Sequence, residues 1–282
     1  MTNTRIGFKR IVIALPQSTA NQAAVDATAN LAELLHVELL AAFLADTSLH
    51  ALAGYPTVRE LRTFDQRWHT IDAEQIARDI DYAAGAARRR FIETVRSRNI
   101  KSGFNVVTGP EAMSSLISPD DIVAIIEPAH PGERITRQFT DLCDAALETA
   151  GGVLVVPRRI AHATGPVVAL TTRPEDAGSH AALAIAAALK ERLILVTRFG
   201  TSPSARILSD ANRLGVQVEQ LAANGLTAEA SSLALSSSRL NERLRVVTRG
   251  TLSNDAPRLF SILHGVPLLL VEPHQITHAA TE

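Results

Sequence analysis

The stretch Lys9–Leu15, KRIVIAL, is a continuous apolar run behind a basic pair, and it returns in the second half of the chain as Gly165–Leu170, GPVVAL. Each copy is followed by the same succession of helical and strand patterns. Self-similarity on this scale decides the fold before any local motif does. A run of Ile, Val, Ala and Leu without polar alternation predicts a parallel strand covered on both faces.

From KRIVIAL outward, the first copy predicts strands at Arg10–Leu15, Val37–Leu44, Phe104–Thr108, Asp121–Ile126 and Val153–Val156. Between the first two, Ala20, Ala24, Ala27, Leu31, Leu34 and Leu35 recur at helical spacing, with Ser18 or Thr19 placed to cap. Asp72 with Gln75 resembles a capping pair, and Ile76, Ile80, Ala84, Ala87, Phe91 and Val95 form one helical stripe behind it. Glu111–Ile117 is a short helix. Ile135 to Ala150 is another, with Gly151-Gly152 expected to close it in a left-handed cap.

Arg158–Thr164 has no periodicity and reads as a linker between two domains, 1–160 and 161–282. The second copy predicts strands at Val167–Leu170, Leu193–Thr197, Val216–Leu221, Arg245–Thr248 and Pro267–Val271. Its helices are expected at Glu175–Lys190, Pro203–Leu214, Thr227–Leu240 and Asp255–His264. The interval Phe43–Phe104 is far longer than its counterpart Leu195–Val216, so the first copy carries a helical insertion around 46–99, irregular over Asp46–Thr70.

Alternating strands and helices give a parallel sheet with right-handed crossovers. The fold class is therefore α/β, with two tandem five-stranded, Rossmann-like sandwiches. The fifth strands, VLVV and LLLV, are too apolar for exposed edges, so they are expected to pair with each other as an internal pseudo-dimer.

The bulk numbers exclude several function classes. The chain has 282 residues, 46% hydrophobic and 20% charged, with a net charge of −1. That balance supplies no long-range field toward a polyanion or a membrane surface. Aromatics are 4%, which leaves no stacking platform for bases. The basic run Arg88-Arg89-Arg90 with Arg96, Arg98 and Lys101 has acidic neighbours and reads as a solvated helix face. One cysteine rules out an intrachain disulfide framework and fits a reducing compartment. There is no signal-peptide pattern and no spanning apolar stretch. These features point to a cytoplasmic protein, with no nucleic-acid and no membrane partner.

The phrases KRIVIAL, AELLHVELLAAFLAD, NVVTGPEAMSSLI, DDIVAII and GGVLVVPRR resemble the universal stress protein family in its tandem form. In the second copy the matching phrases are GPVVALTTRPEDAGSHAALAIAAAL, ERLILVTRF and GVPLLLVEP. The resemblance covers almost the whole chain. It implies an adenine-nucleotide α-hydrolase-like fold and dimerisation through the fifth strand. In nucleotide-binding members an acidic residue follows the first strand and a stretch G-x2-G-x9-G-[ST] follows the fourth. Glycines there admit backbone N–H groups to phosphates.

This chain departs from that pattern twice. After the first strand stand Leu15-Pro16-Gln17-Ser18 in one copy and Thr171-Thr172-Arg173-Pro174 in the other. After the fourth stand EPAHPGERITRQF, where Gly132 is the only glycine, and TRGTLSNDAPRLF, where Gly250-Thr251 keeps a remnant of the turn. The positional candidates for a ligand are Gln17, His130, Gly132 and Arg134 in the first copy, and Thr172, Arg249, Gly250 and Thr251 in the second. His130, Arg134 and Arg137 fall near a helix N-terminus, where an anion could bind; the plainer reading is of solvated loop residues.

No catalytic constellation, metal spacing or P-loop is present, and Cys143 sits on an apolar stripe as a buried structural thiol. The expectation is a non-enzymatic stress-response or regulatory protein with a degenerate ATP site and no cofactor. The alternative is a divergent module for ATP or another adenine nucleotide, with weak or no ATPase activity. A homodimer is compatible with either, and no protein partner is identified.

Overall fold

The computed structural model describes residues 7–16, 22–45, 52–53, 55, 57–62, 64, 66–128, 130–198, 202–223, 240–251 and 264–273. Gln17, Ser18, Thr19 and most of the helices expected at Thr227–Leu240 and Asp255–His264 lie outside them.

The first half runs β1 (Arg10–Pro16), α1 (Gln22–Leu35), β2 (Glu38–Ala45), a hairpin of β3 (Arg59–Arg62) and β4 (Arg67–Thr70), then α2 (Ala73–Arg96) and β5 (Ser102–Thr108). It continues with α3 (Pro110–Leu116), β6 (Asp121–Ile126), a 3-10 turn at Pro131–Ile135, α4 (Arg137–Thr149) and β7 (Gly152–Val156). The second half has β8 (Val167–Thr171), α5 (Ala177–Leu189), β9 (Leu193–Arg198), α6 (Ala205–Leu214), β10 (Val218–Ala223), β11 (Leu244–Thr248) and β12 (Leu268–Val271).

Ten strands form one sheet in the order β10-β9-β8-β11-β12-β7-β6-β1-β2-β5. Each half has its first strand between its second and fourth, so the order reverses direction there, at β1/β6 and at β8/β11. Pairing is parallel throughout except at the centre. There β7 and β12 run antiparallel, with Val155 opposite Leu268 and Leu154 opposite Leu269. The fifth strands thus join the halves, as their composition predicts. All residues of both strands are buried.

KRIVIAL is apolar on both faces because both are covered. Ile11, Ile13 and Leu15 belong to one hydrophobic layer, Val12 and Ala14 to the other. Each layer runs unbroken across both halves. With so many alanines the helices lie close to the strands, and α5 has Ala177, Ala181, Ala182 and Ala186 all buried.

Three local expectations need correction. Gly151-Gly152 does not form a left-handed cap: α4 ends at Ala150 in extended backbone, and Gly152 already belongs to β7. A side chain from the other half satisfies the helix end instead, as described below. Second, Asp72 caps α2 through the N–H groups of Glu74 and Gln75, but Gln75 does not reciprocate; its amide donates to Asp79 at 2.8 Å. Third, the Asp46–Thr70 stretch is not simply irregular, since it contains the β3–β4 hairpin. The helix behind it, α2, is the crossover between β2 and β5, matching α6 between β9 and β10.

Candidate functional site

In an open parallel sheet ligands sit beyond the carboxyl ends of the strands at the switch point. In the second half that place is filled by the chain's own polar groups. Asp176 is the N-cap of α5 and is buried. Its Oδ1 accepts the Gly178 N–H at 3.0 Å and the Thr248 hydroxyl; its Oδ2 accepts both the backbone N–H and the hydroxyl of Thr172, each at 3.3 Å. The Gly178 N–H is shared with Thr248 Oγ1 at 2.8 Å. Behind these, Thr171 and Ser179 exchange a buried hydroxyl contact at 2.8 Å.

One carboxylate therefore ties the end of β8, the first turn of α5 and the end of β11 together. It supplies a negative charge at the helix N-terminus, the position an external anion would favour. Gly178 permits the arrangement: a Cβ there would lie 2.8 Å from the Thr248 amide nitrogen, so only glycine lets the helix approach β11.

The other candidates of this half, Arg249, Gly250 and Thr251, directly follow β11. Gly250 has φ +84°, and the Thr251 N–H donates to the Thr248 carbonyl at 3.1 Å, so the pair forms a tight turn with glycine at its third position. Arg249 turns away toward the seam. Its guanidinium donates to the carbonyls of Leu147 (2.6 Å) and Ala150 (3.0 Å) at the end of α4, and to Glu272 (2.6 Å). Burial pushes its pKa down, and the Glu272 carboxylate works in the opposite sense.

In the first half, Arg134 donates to Glu127 Oε1 at 2.5 Å, and Glu127 Oε2 accepts the Arg158 N–H at 2.9 Å. Glu127 thereby holds the end of β6 to the 3-10 turn and to the exit of β7. Arg134 is engaged within the protein, while His130 and Gly132 are exposed. Gly132 has neither a positive φ nor a neighbour within 4 Å of a Cβ, so nothing local requires glycine. Arg137 extends into solvent with Asp141 at 3.6 Å. An open hollow of about 480 Å³ lies beside Glu127, Arg158, Arg159 and Gly265. A small apolar cleft of about 30 Å³ lies between the ends of β2 and β5, near Met113 and Leu142.

The structure thus brings Thr172, Arg249, Gly250 and Thr251 to the ends of two neighbouring strands, bridged by Asp176. Sequence reasoning passed over Asp176, Gly178, Thr248 and Glu127. Asp-Ala-Gly just past a strand was the available signal, since aspartate caps and glycine allows close approach. Among the described residues no group of three or more His, Cys, Asp or Glu could hold a metal ion, and no helix is long and apolar enough to cross a membrane.

This architecture, two halves in the order 3-2-1-4-5 joined through their fifth strands, defines a universal-stress-protein-like α/β fold. The structure of a universal stress protein from Archaeoglobus fulgidus DSM 4304 is similar over 93% of this chain and 96% of that one, with a TM-score of 0.62 and 12% identity. No protein-family model matches the chain, and no curated protein matches it.

Proposed function

We propose that this protein is a non-enzymatic, stress-related regulatory or interaction protein of the tandem universal stress type, with a degenerate adenine-nucleotide site. The observation that carries this reading is the Asp176 carboxylate. It takes up the first-turn N–H of α5 and the Thr248 hydroxyl, groups that a bound phosphate would otherwise contact. A second carboxylate or phosphate brought against it would meet like charge in a site with little water. The turn after β11 keeps one glycine for its own geometry, and Arg249 is committed to the end of α4. The fold likeness supports the stress-related assignment.

One observation favours the alternative, a divergent adenine-nucleotide module. The hollow lined by Arg158 and Arg159, with Glu127 and Gly265, has room for an anion beside two basic residues.

Denaturing the purified protein and assaying the released small molecules by mass spectrometry separates the two. The expected result is no adenine nucleotide. Near-stoichiometric release would overturn the first reading in favour of the second. A thermal-shift series with ATP, ADP and cyclic nucleotides extends the test, since a ligand bound only by the native state raises the unfolding temperature.

A further inference from the structure

Helix α2 makes the same crossover as α6 but is 24 residues long against 10, so the sheet itself does not call for its extra turns. α6 balances its own surface charge, since Arg206 and Arg213 both pair with Asp210. α2 leaves its charge open. Arg88, Arg89, Arg90 and Arg96 are all exposed and make no ion pair among the described residues.

That charge is split about the middle of the helix. Before Gly85, Asp72, Glu74, Asp79 and Asp81 stand against Arg78; after it, Arg88, Arg89, Arg90 and Arg96 stand against Glu93. All of these side chains are exposed. Arg78, Tyr82, Gly85, Arg89, Ile92 and Arg96 follow one another at alternating steps of four and three. They therefore line one stripe, on the side away from buried Ala84, Phe91 and Val95. Tyr82 is 75% exposed and Ile92 47%. Gly85 sits midway along the stripe. A glycine there weakens the helix relative to alanine. Yet its φ is not positive, and a Cβ would meet only Arg89 Nη1, at an ordinary 3.5 Å. Nothing among the described residues requires it.

We propose that α2 pairs antiparallel with α2 of a second copy of the chain, the two helices crossing at Gly85. A copy reversed about Gly85 sets residues equally far before and after it opposite each other. Glu74 then faces the second copy's Arg96, and Asp81 faces its Arg88. The Tyr82 ring meets the guanidinium of the second copy's Arg89. Arg78 lays its aliphatic stem along Ile92. Each contact occurs twice under the two-fold axis. Glycine at the crossing lets the two backbones approach closely. A parallel copy would set arginine against arginine, and an acidic partner or an anionic lipid surface would meet the four carboxylates of the other half. The antiparallel copy matches both halves at once. The fifth-strand edges are already used within the chain, so a second copy needs another face. The inference stands on α2 alone and is independent of nucleotide binding.

The test follows mass by light scattering while the full chain is diluted about a hundredfold from a stock well above the micromolar range of ordinary transient association. The series is run at about 0.05 M and about 0.5 M salt. The expected result is a twofold mass in the concentrated low-salt samples, falling to single-copy mass on dilution or at high salt. Asp81→Arg and Arg88→Asp each set like charges opposite one another twice, and each is expected to weaken association at least about tenfold. Combining the two substitutions restores opposite charges and is expected to restore the twofold mass. Gly85→Gln is expected to give single-copy mass with an equal or higher unfolding temperature, which separates lost pairing from lost folding.

Single-copy mass for the unsubstituted chain at low salt across the range overturns the proposal. So does a dimer that survives Gly85→Gln or Asp81→Arg, or a doubly substituted chain that does not recover the twofold mass. Single-copy mass with Arg89-dependent binding of a fluorescent single-stranded oligonucleotide also overturns it and assigns the basic half to a polyanion.

Discussion

Nη1 of Arg249 lies 2.6 Å from the carbonyl oxygen of Leu147, so a residue leaving a strand of the second half closes a helix of the first. The last carbonyls of a helix have no intrahelical donors. Here a planar, permanently charged fork from across the seam provides them, reaching Ala150 as well. Glu127 occupies the equivalent place at the end of β6. Its N–H meets Val156 as the Arg249 N–H meets Val271, but its side chain stays within its own half.

Replacing Arg249 with Met should therefore cost on the order of 2–3 kcal/mol of stability, because hydrogen bonds to a charged donor are lost and carbonyls at the helix end are left unsatisfied. Arg249→Lys keeps the charge without the fork and should fall between. Urea unfolding of the three proteins checks this. A loss under about 0.5 kcal/mol for the Met variant, the range of ordinary surface changes, would refute the clasp.

Gly178, in the first turn of α5, and Gly132, in the turn after β6, should respond differently to alanine. Gly178→Ala drives a methyl onto the Thr248 backbone, which cannot give way as a flexible side chain could. A loss of roughly 1–3 kcal/mol or more is expected. Gly132→Ala meets nothing and should change stability by less than about 0.5 kcal/mol. Parallel thermal melts decide the comparison, and equal effects would contradict it.

Glu175 accepts from His180 Nε2 at 3.0 Å, and hydrogen bonds from His180 and then Ser204 hold its carboxyl below the usual carboxylate range. A folded-state pKa depressed in this way adds stability at pH values above the unfolded carboxylate pKa. That contribution disappears as pH falls through the folded value. The carboxyl is solvent-exposed, so the effect on global stability should be slight. The direct readout is a carbon-detected NMR titration, in which His180→Ala should return Glu175 toward its ordinary pKa. No change on that substitution would remove the pair as the cause.

Cys143 is buried in the layer formed with Leu142 and Ala146, and burial, with a smaller push from Asp144, raises its thiol to about 12. Near neutral pH it should resist a thiol reagent in the native protein and react fully once unfolded. Rapid labelling of the native chain would show that the helix opens locally or that the thiol is not enclosed.

Much of the strand framework could be read from residue order. KRIVIAL, DDIVAII and VLVV are runs that only a doubly covered sheet accommodates, and the apolar fifth strands foretold their pairing. The least legible stretch was Asp46–Thr70, where short strands with exposed Leu61 and Trp68 lack the burial-driven alternation that marks a strand in sequence. Gly151-Gly152 misled for another reason. A glycine pair after a helix usually ends it by backbone conformation, but here Arg249 ends it from far along the chain.

Residue order alone is enough for the α/β class, the repeated succession of strands and helices and the apolar edges that meet at the seam, because hydrophobic periodicity and chain connectivity are local and directional. The fate of the polar groups at the strand ends depends on the assembled sheet. Asp176 reaches Thr248 and Arg249 reaches Leu147 across sequence separations of 72 and 102 residues. A hydrogen bond depends on position in space, and nothing in residue order brings those atoms within reach of one another until the sheet has formed.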